Sequence, residues 1–118
     1  MVLKKLDYTS FDKEISNGIT YTVVLFLVKT HKRSMEIFDL LRDLGKSFNP
    51  QLIQFCYVDS DAETEIIQAY SIREVPYLIL YDKDGIPINM FSPKSSSRLL
   101  VELLGEKLYE AINPFNHS

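Results

Sequence analysis

The spacing of hydrophobic positions changes along the chain, and each change marks an element. Leu3–Leu6 forms a short strand candidate. Thr9-Ser10-Phe11-Asp12 has the spacing of a capping box and predicts a short helix ending near Asn17-Gly18. Tyr21–Val28 is rich in β-branched and aromatic residues and is continuously apolar towards its end. Such a run predicts a strand covered on both faces, as a parallel sheet requires. A basic turn, Lys29-Thr30-His31-Lys32-Arg33-Ser34, precedes a stretch where Ile37, Phe38, Leu41, Leu44 and Phe48 recur at intervals of three and four. That spacing predicts an amphipathic helix, stopped by Asn49-Pro50.

Leu52–Val58 is a second strong strand. Ser60 and Glu63 follow at capping-box spacing and open a short helix through Ile66, Ile67 and Tyr70. Tyr77–Tyr81 and Ile86–Phe91 flank Asp82-Lys83-Asp84-Gly85, a hairpin whose Asp-Gly supplies the positive φ. Pro87 has no N–H to give to a ladder, which assigns the last strand to the sheet edge. Beyond Ser92-Pro93-Lys94-Ser95, the apolar set Leu99, Leu100, Leu103, Leu104, Leu108 and Ile112 repeats with helical period up to Asn113-Pro114. Gly105 interrupts this helix at a cost of about 1 kcal/mol against alanine unless close packing needs it. The summed order is an α/β three-layer sandwich: a central mixed sheet with helices on both faces, its last two strands antiparallel. Residues 1–118 read as one domain, with 113–118 a frayed tail.

Composition narrows the function classes. The chain has 118 residues, 13 Lys+Arg against 16 Asp+Glu and a formal net charge of -3, so there is no global basic field for nucleic acid or an anionic membrane. No apolar run approaches the roughly 20 residues of a membrane span, and the N-terminus lacks the apolar region of a secretory signal. A cytoplasmic, reducing location is the expectation. The single cysteine, Cys56, excludes an internal disulfide and any two-thiol reaction carried by this chain alone.

Four local features fit the element order: Phe11-Asp12-Lys13-Glu14 opening the first helix, Leu25-Phe26 ending a buried strand, Tyr57-Val58-Asp59 closing the next, and Arg73-Glu74-Val75-Pro76-Tyr77 before the hairpin. With these, the chain resembles the thioredoxin family from about Leu3 to Ile112. The resemblance implies a cis proline at Pro76, facing the active-site loop, and places His31-Lys32-Arg33-Ser34 where the family carries Cys-x-x-Cys. The family's exchange reaction needs a thiolate at a helix N-terminus and a second thiol to clear the mixed disulfide. Histidine and serine supply neither. The family's buried acid falls at Leu25, and the aromatic preceding its first cysteine falls at Thr30. The resemblance therefore implies a variant that keeps the peptide groove and lacks the redox groups.

That reading makes the chain a redox-inactive module binding an extended peptide or protein partner, with Thr30, His31, Lys32, Arg33, Ser34, Val75, Pro76 and Tyr77 as its surface and no catalytic residue. The alternative is an atypical oxidoreductase acting through Cys56 and an external thiol. Cys56 lies mid-strand, where a cysteine is expected to be a buried hydrophobe. The edge strand Ile86–Phe91, with Met90 and Phe91 near its end, is a second contact surface to weigh. Lys29, Lys32 and Arg33 at a helix start could hold a phosphate or carboxylate, although a solvated loop repelling partners of like charge is the favoured reading. His31 has no partner at metal-ligand spacing, and Ser34 lacks the Gly-x-Ser-x-Gly setting of a hydrolase nucleophile. Asp59-Ser60-Asp61-Ala62-Glu63 lacks the glycine and loop length of an EF-hand. Nothing in the sequence calls for a metal or other cofactor.

Overall fold

Val23 to Leu27 are sealed from solvent, which places their strand, Tyr21–Leu27 (β2), at the centre of the sheet. The computed structural model describes residues 3–91 and 96–112. Around β2 lie β1 (Lys4–Lys5), α1 (Phe11–Ile15), α2 (Lys32–Gly45), β3 (Ile53–Asp59), α3 (Thr64–Ala69), β4 (Tyr77–Tyr81), β5 (Pro87–Phe91) and α4 (Ser97–Ile112). The five strands run in the order β1-β3-β2-β4-β5. β1 and β2 are parallel to β3, while β4 is antiparallel to β2 and β5 to β4. The architecture is the mixed, three-layer α/β sandwich expected from the pattern, with Pro87 on the edge strand.

Side chains alternate across β2 and divide the interior in two. Val23, Leu25 and Leu27 meet Ile37 and Leu41 of α2 and Leu100, Leu104 and Leu108 of α4. Val24 and Phe26 meet Phe11 and Ile15 of α1, Ile66 of α3, and Cys56 and Val58 of β3. The hairpin turns at Gly85, φ +80°. There the Asp82 carboxylate accepts the N–H groups of Asp84 at 2.8 Å and Ile86 at 3.0 Å.

Local chemistry differs from the sequence expectations at several element ends. The Thr9-Ser10-Phe11-Asp12 box does not form, and the side-chain bonds fall in the turn before α1 instead. Asp7 accepts the N–H groups of Thr9 and Ser10, both at 2.9 Å, while Ser10 Oγ accepts the Asp7 N–H at 3.0 Å. This reciprocal pair fixes the turn that leads into α1, and no side chain caps the helix itself. Ser60 and Glu63 do not form a box either. Glu63 instead accepts the Tyr8 N–H at 2.9 Å, tying the α3 entrance to the segment before α1. α2 ends at Gly45, before Asn49-Pro50. The chain then tightens, with Ser47 N–H bonding to Leu44 O at 3.0 Å and Phe48 N–H to Gly45 O at 3.2 Å.

Leu99 and Leu103 belong to the repeating apolar set of α4 but are 47% and 37% exposed. Leu100, Val101, Leu104 and Leu108 already fill the buried stripe of that helix. Gly105 lies where α4 meets α2, and a Cβ there would stand 3.4 Å from Leu44 Cδ1. The expected Ser92–Ser95 turn and the frayed tail 113–118 lie outside the described residues.

Candidate functional site

The sheet register brings together two segments that are distant in sequence. Phe26 near the end of β2 is opposite Tyr77 at the start of β4, and Leu27 is opposite Asp59 at the end of β3. The turn leaving β2, the loop leaving β3 and the residues entering β4 therefore share one end of the sheet. Open α/β sheets hold ligands at this location, beyond the carboxyl ends of parallel strands. Lys29 reaches Asp59 at 3.8 Å across this end, so part of the basic turn is matched by the acidic loop beside it.

The turn closes when the His31 N–H bonds to Val28 O at 2.9 Å. His31 then caps α2 with extended backbone, φ -89° and ψ 117°. Thr30, His31 and Lys32 are exposed, Arg33 is half-buried, and Ser34 is buried. Ser34 Oγ accepts the Val28 N–H at 3.3 Å and lies 3.3 Å from His31 Nδ1. Ser34 Oγ has one proton and a second lone pair left after accepting from Val28, so the contact with Nδ1 runs in the direction set by the imidazole tautomer. His31 and Ser34, the positions that the sequence resemblance sets against Cys-x-x-Cys, are thus joined by a hydrogen bond rather than by sulfur. Ser34 contributes to this surface by fixing His31, because its own side chain is enclosed.

Across the end of the sheet the Val75–Pro76 peptide is cis. Pro76 is buried, while Val75 and Tyr77 are half-buried and pack on the core shared by α1 and α3. Tyr77 also lines a groove of about 320 Å³ with Tyr70, Arg73, Glu74, Ile79 and Met90. The sequence reading included Met90 as part of the edge strand but not the groove behind it. Its signal was the alternation Tyr77, Ile79, Tyr81 on one face, opposite a helix of only six residues, Thr64–Ala69. Too short a helix leaves part of such a face uncovered.

Cys56 lies away from this end of the sheet, mid-β3, with no solvent exposure. Burial pushes its thiol up to about 12, and the nearby negative charge of Glu14 adds to the effect while Lys4 opposes it. A thiol in this state supplies almost no thiolate near neutrality. Among the described residues, no three His, Cys, Asp or Glu side chains are grouped to hold a metal ion. No helix among them is long and apolar enough to cross a membrane.

No protein-family sequence model matches the chain, and no curated protein matches it in sequence. Solved structures do match it. Thioredoxin from Plasmodium falciparum superposes with a TM-score of 0.75 at 22% identity, over 89% of this chain and 98% of that one. A mutant thioredoxin from Halobacterium salinarum NRC-1 gives 0.72 at 16% identity, over 89% of each chain. Human ERp44 gives 0.69 at 22% identity, over 89% of this chain and 30% of that one. These likenesses establish the thioredoxin fold, here carried by a chain with one cysteine.

Proposed function

We propose that this chain, a thioredoxin fold without paired cysteines, is a redox-inactive interaction module of the cytoplasm. Its binding surface is the end of the sheet formed by residues 30–34 and 75–77, and its partner is an extended peptide or a protein segment that adopts that form. One observation carries the reading. A His31–Ser34 hydrogen bond stands where the sequence resemblance puts the family's cysteines, and the lone thiol is enclosed in β3, so the reading leaves recognition to this surface. An extended peptide needs backbone partners and shallow side-chain sites rather than a nucleophile. The exposed Thr30, His31 and Lys32 and the half-buried Val75 and Tyr77 suit that role. Ser34 and Pro76 support it from beneath.

The test is amide chemical-shift mapping of the labelled chain against a pool of short, strand-forming peptides. Shifts concentrated at residues 29–34 and 75–77, reduced in His31→Ala and Tyr77→Ala, are the expected result. Shifts elsewhere or none at all would overturn the assignment. A parallel insulin-reduction assay with glutathione addresses chemistry: no turnover is expected, and turnover lost in Cys56→Ser would make the chain an oxidoreductase.

A further inference from the structure

The two edges of the sheet are built differently. β1 is two residues long and both are lysines, Lys4 and Lys5, a combination that discourages strand addition. β5, Pro-Ile-Asn-Met-Phe, has five residues and no charge. Pro87 lacks an N–H and the register shifts near it, opposite Leu80/Tyr81, which leaves Ile88–Phe91 as the segment able to pair. No strand lies beyond it among the described residues.

Apolar groups border this edge both on the sheet and on the helix above it. Ile88 and Met90 are 45% and 62% exposed. On α4, Gly105 faces Leu44 of α2. At about 100° per residue, Leu99 and Leu103 lie roughly 120–160° around the helix from Gly105, on the flank away from α2. Because α2 packs over β2 and β3 while α4 packs against β5, that flank borders the β5 edge. Charges around the edge are also arranged in a self-complementary way. Asp84 stands in the hairpin turn before β5, and Arg73 stands at the other end of the strand, beside Met90. Neither of the two has an ion-pair partner among the described residues.

We infer that a second copy of this chain docks here, β5 against β5 in antiparallel register about a two-fold axis, giving one continuous ten-stranded sheet. The two-fold sets the Asp84 turn of each copy beside the Arg73 end of the other. It also brings the two α4 flanks together, so that Leu99 and Leu103 are covered. A lone peptide strand would pair with the edge but leave that helix flank exposed, which is why the second copy is the better occupant. The inference does not depend on the peptide reading, since the end of the sheet stays open in such a dimer.

Sedimentation analysis of the full chain over a range of concentrations tests it, with amide exchange as the local readout. A reversible dimer is expected, in which the amides of Ile88–Phe91 gain protection as dimer accumulates. Met90→Lys is expected to weaken dimerisation at least about tenfold, a typical effect for a central interface residue. Arg73→Asp should weaken it too, and adding Asp84→Arg to the same chain should restore it. Ile88→Lys replaces Met90→Lys if the latter loses its cooperative melting transition. A chain that stays monomeric at every concentration overturns the inference. So does a dimer indifferent to both lysine substitutions, or a monomer whose β5 amides are protected only by an added strand-forming peptide.

Discussion

The two faces of the sheet are covered by helices of very different length. On one, α2 and α4 run 14 and 16 residues, about 21 and 24 Å at 1.5 Å per residue. On the other, α1 and α3 have five and six residues, under about 10 Å each. The central strands β2 and β3 are seven residues long, about 23 Å. The long helices match that length and seal their side of the sheet. The short ones seal Val24, Phe26 and Val58 but leave a groove over Tyr77, Ile79 and Met90. One face thus concentrates packing, and the other keeps part of the sheet open for contact.

Truncation should separate the two most clearly. Leu104→Ala removes a fully enclosed side chain between α4 and the sheet and is expected to cost about 2–5 kcal/mol, the range for leucine truncation in a core. At concentrations where the chain is monomeric, Met90→Ala on the open face is expected to stay within about 0.5 kcal/mol, because its side chain is then largely in water. Urea unfolding midpoints at constant m-value measure both. Equal losses at the two positions would mean that the open groove is filled in solution.

A smaller effect probes the sealed part of the short-helix face through Cys56. Its thiol is pushed up to about 12 by burial first and by Glu14 second. The folded state therefore holds this proton while the unfolded chain releases it above about pH 9. The contribution is fully present below pH 9 and is lost as pH rises towards 12. Tyr70 is also raised, to about 12, by burial and by its hydrogen bond to Asp12, and burial raises Tyr81 as well. Their share of the loss begins near the ordinary tyrosine value of about 10. From about pH 8.5 to about pH 10, the wild type should lose on the order of 1 kcal/mol more stability than Cys56→Ala. Parallel pH profiles would place the thiol in contact with solvent.

Much of this organisation is legible in the sequence because it rests on long apolar patterns. The unbroken run at Tyr21–Val28 could only be satisfied by cover on both sides, and Pro87 by an edge. The helix ends were less legible because several polar residues compete for the same donors. Asp7 takes the Thr9 N–H that a Thr9–Asp12 box assigns to Asp12, and the Thr9 hydroxyl as well, and Glu63 spends its carboxylate on distant Tyr8. α4 misleads for a different reason: six apolar residues repeat, but a helix on one sheet face encloses only a stripe, and Leu99 and Leu103 fall outside it. At the candidate site the sequence located the loop but not the burial of Ser34 and Pro76. Those depend on how the helix start and the β4 entrance meet the ends of other strands, which no local pattern encodes.

The smallest effects come from two residues, one on each face, whose backbone settings suit the other's chemistry. α3 ends with Ser71 at φ +54°, its N–H bonded to Gln68 O at 3.3 Å and the Ile72 N–H to Ile67 O at 3.0 Å. This is the Schellman arrangement, in which glycine usually takes the left-handed position. A side chain costs roughly 1 kcal/mol there, so Ser71→Gly should stabilise by up to about that amount, offset in part by the greater freedom of glycine in the unfolded chain. In α4 the reverse holds. Gly105 sits in mid-helix, and a Cβ would meet only Leu44 Cδ1 at 3.4 Å, an ordinary contact with the end of a movable side chain. Gly105→Ala should therefore gain most of the roughly 1 kcal/mol that separates glycine from alanine in a helix. Being on opposite faces with no shared partner, the two gains should add to within about 0.5 kcal/mol in the double variant. A loss at Gly105→Ala in thermal or urea unfolding would show that Leu44 cannot yield and that α2 and α4 need the glycine to pack as closely as they do.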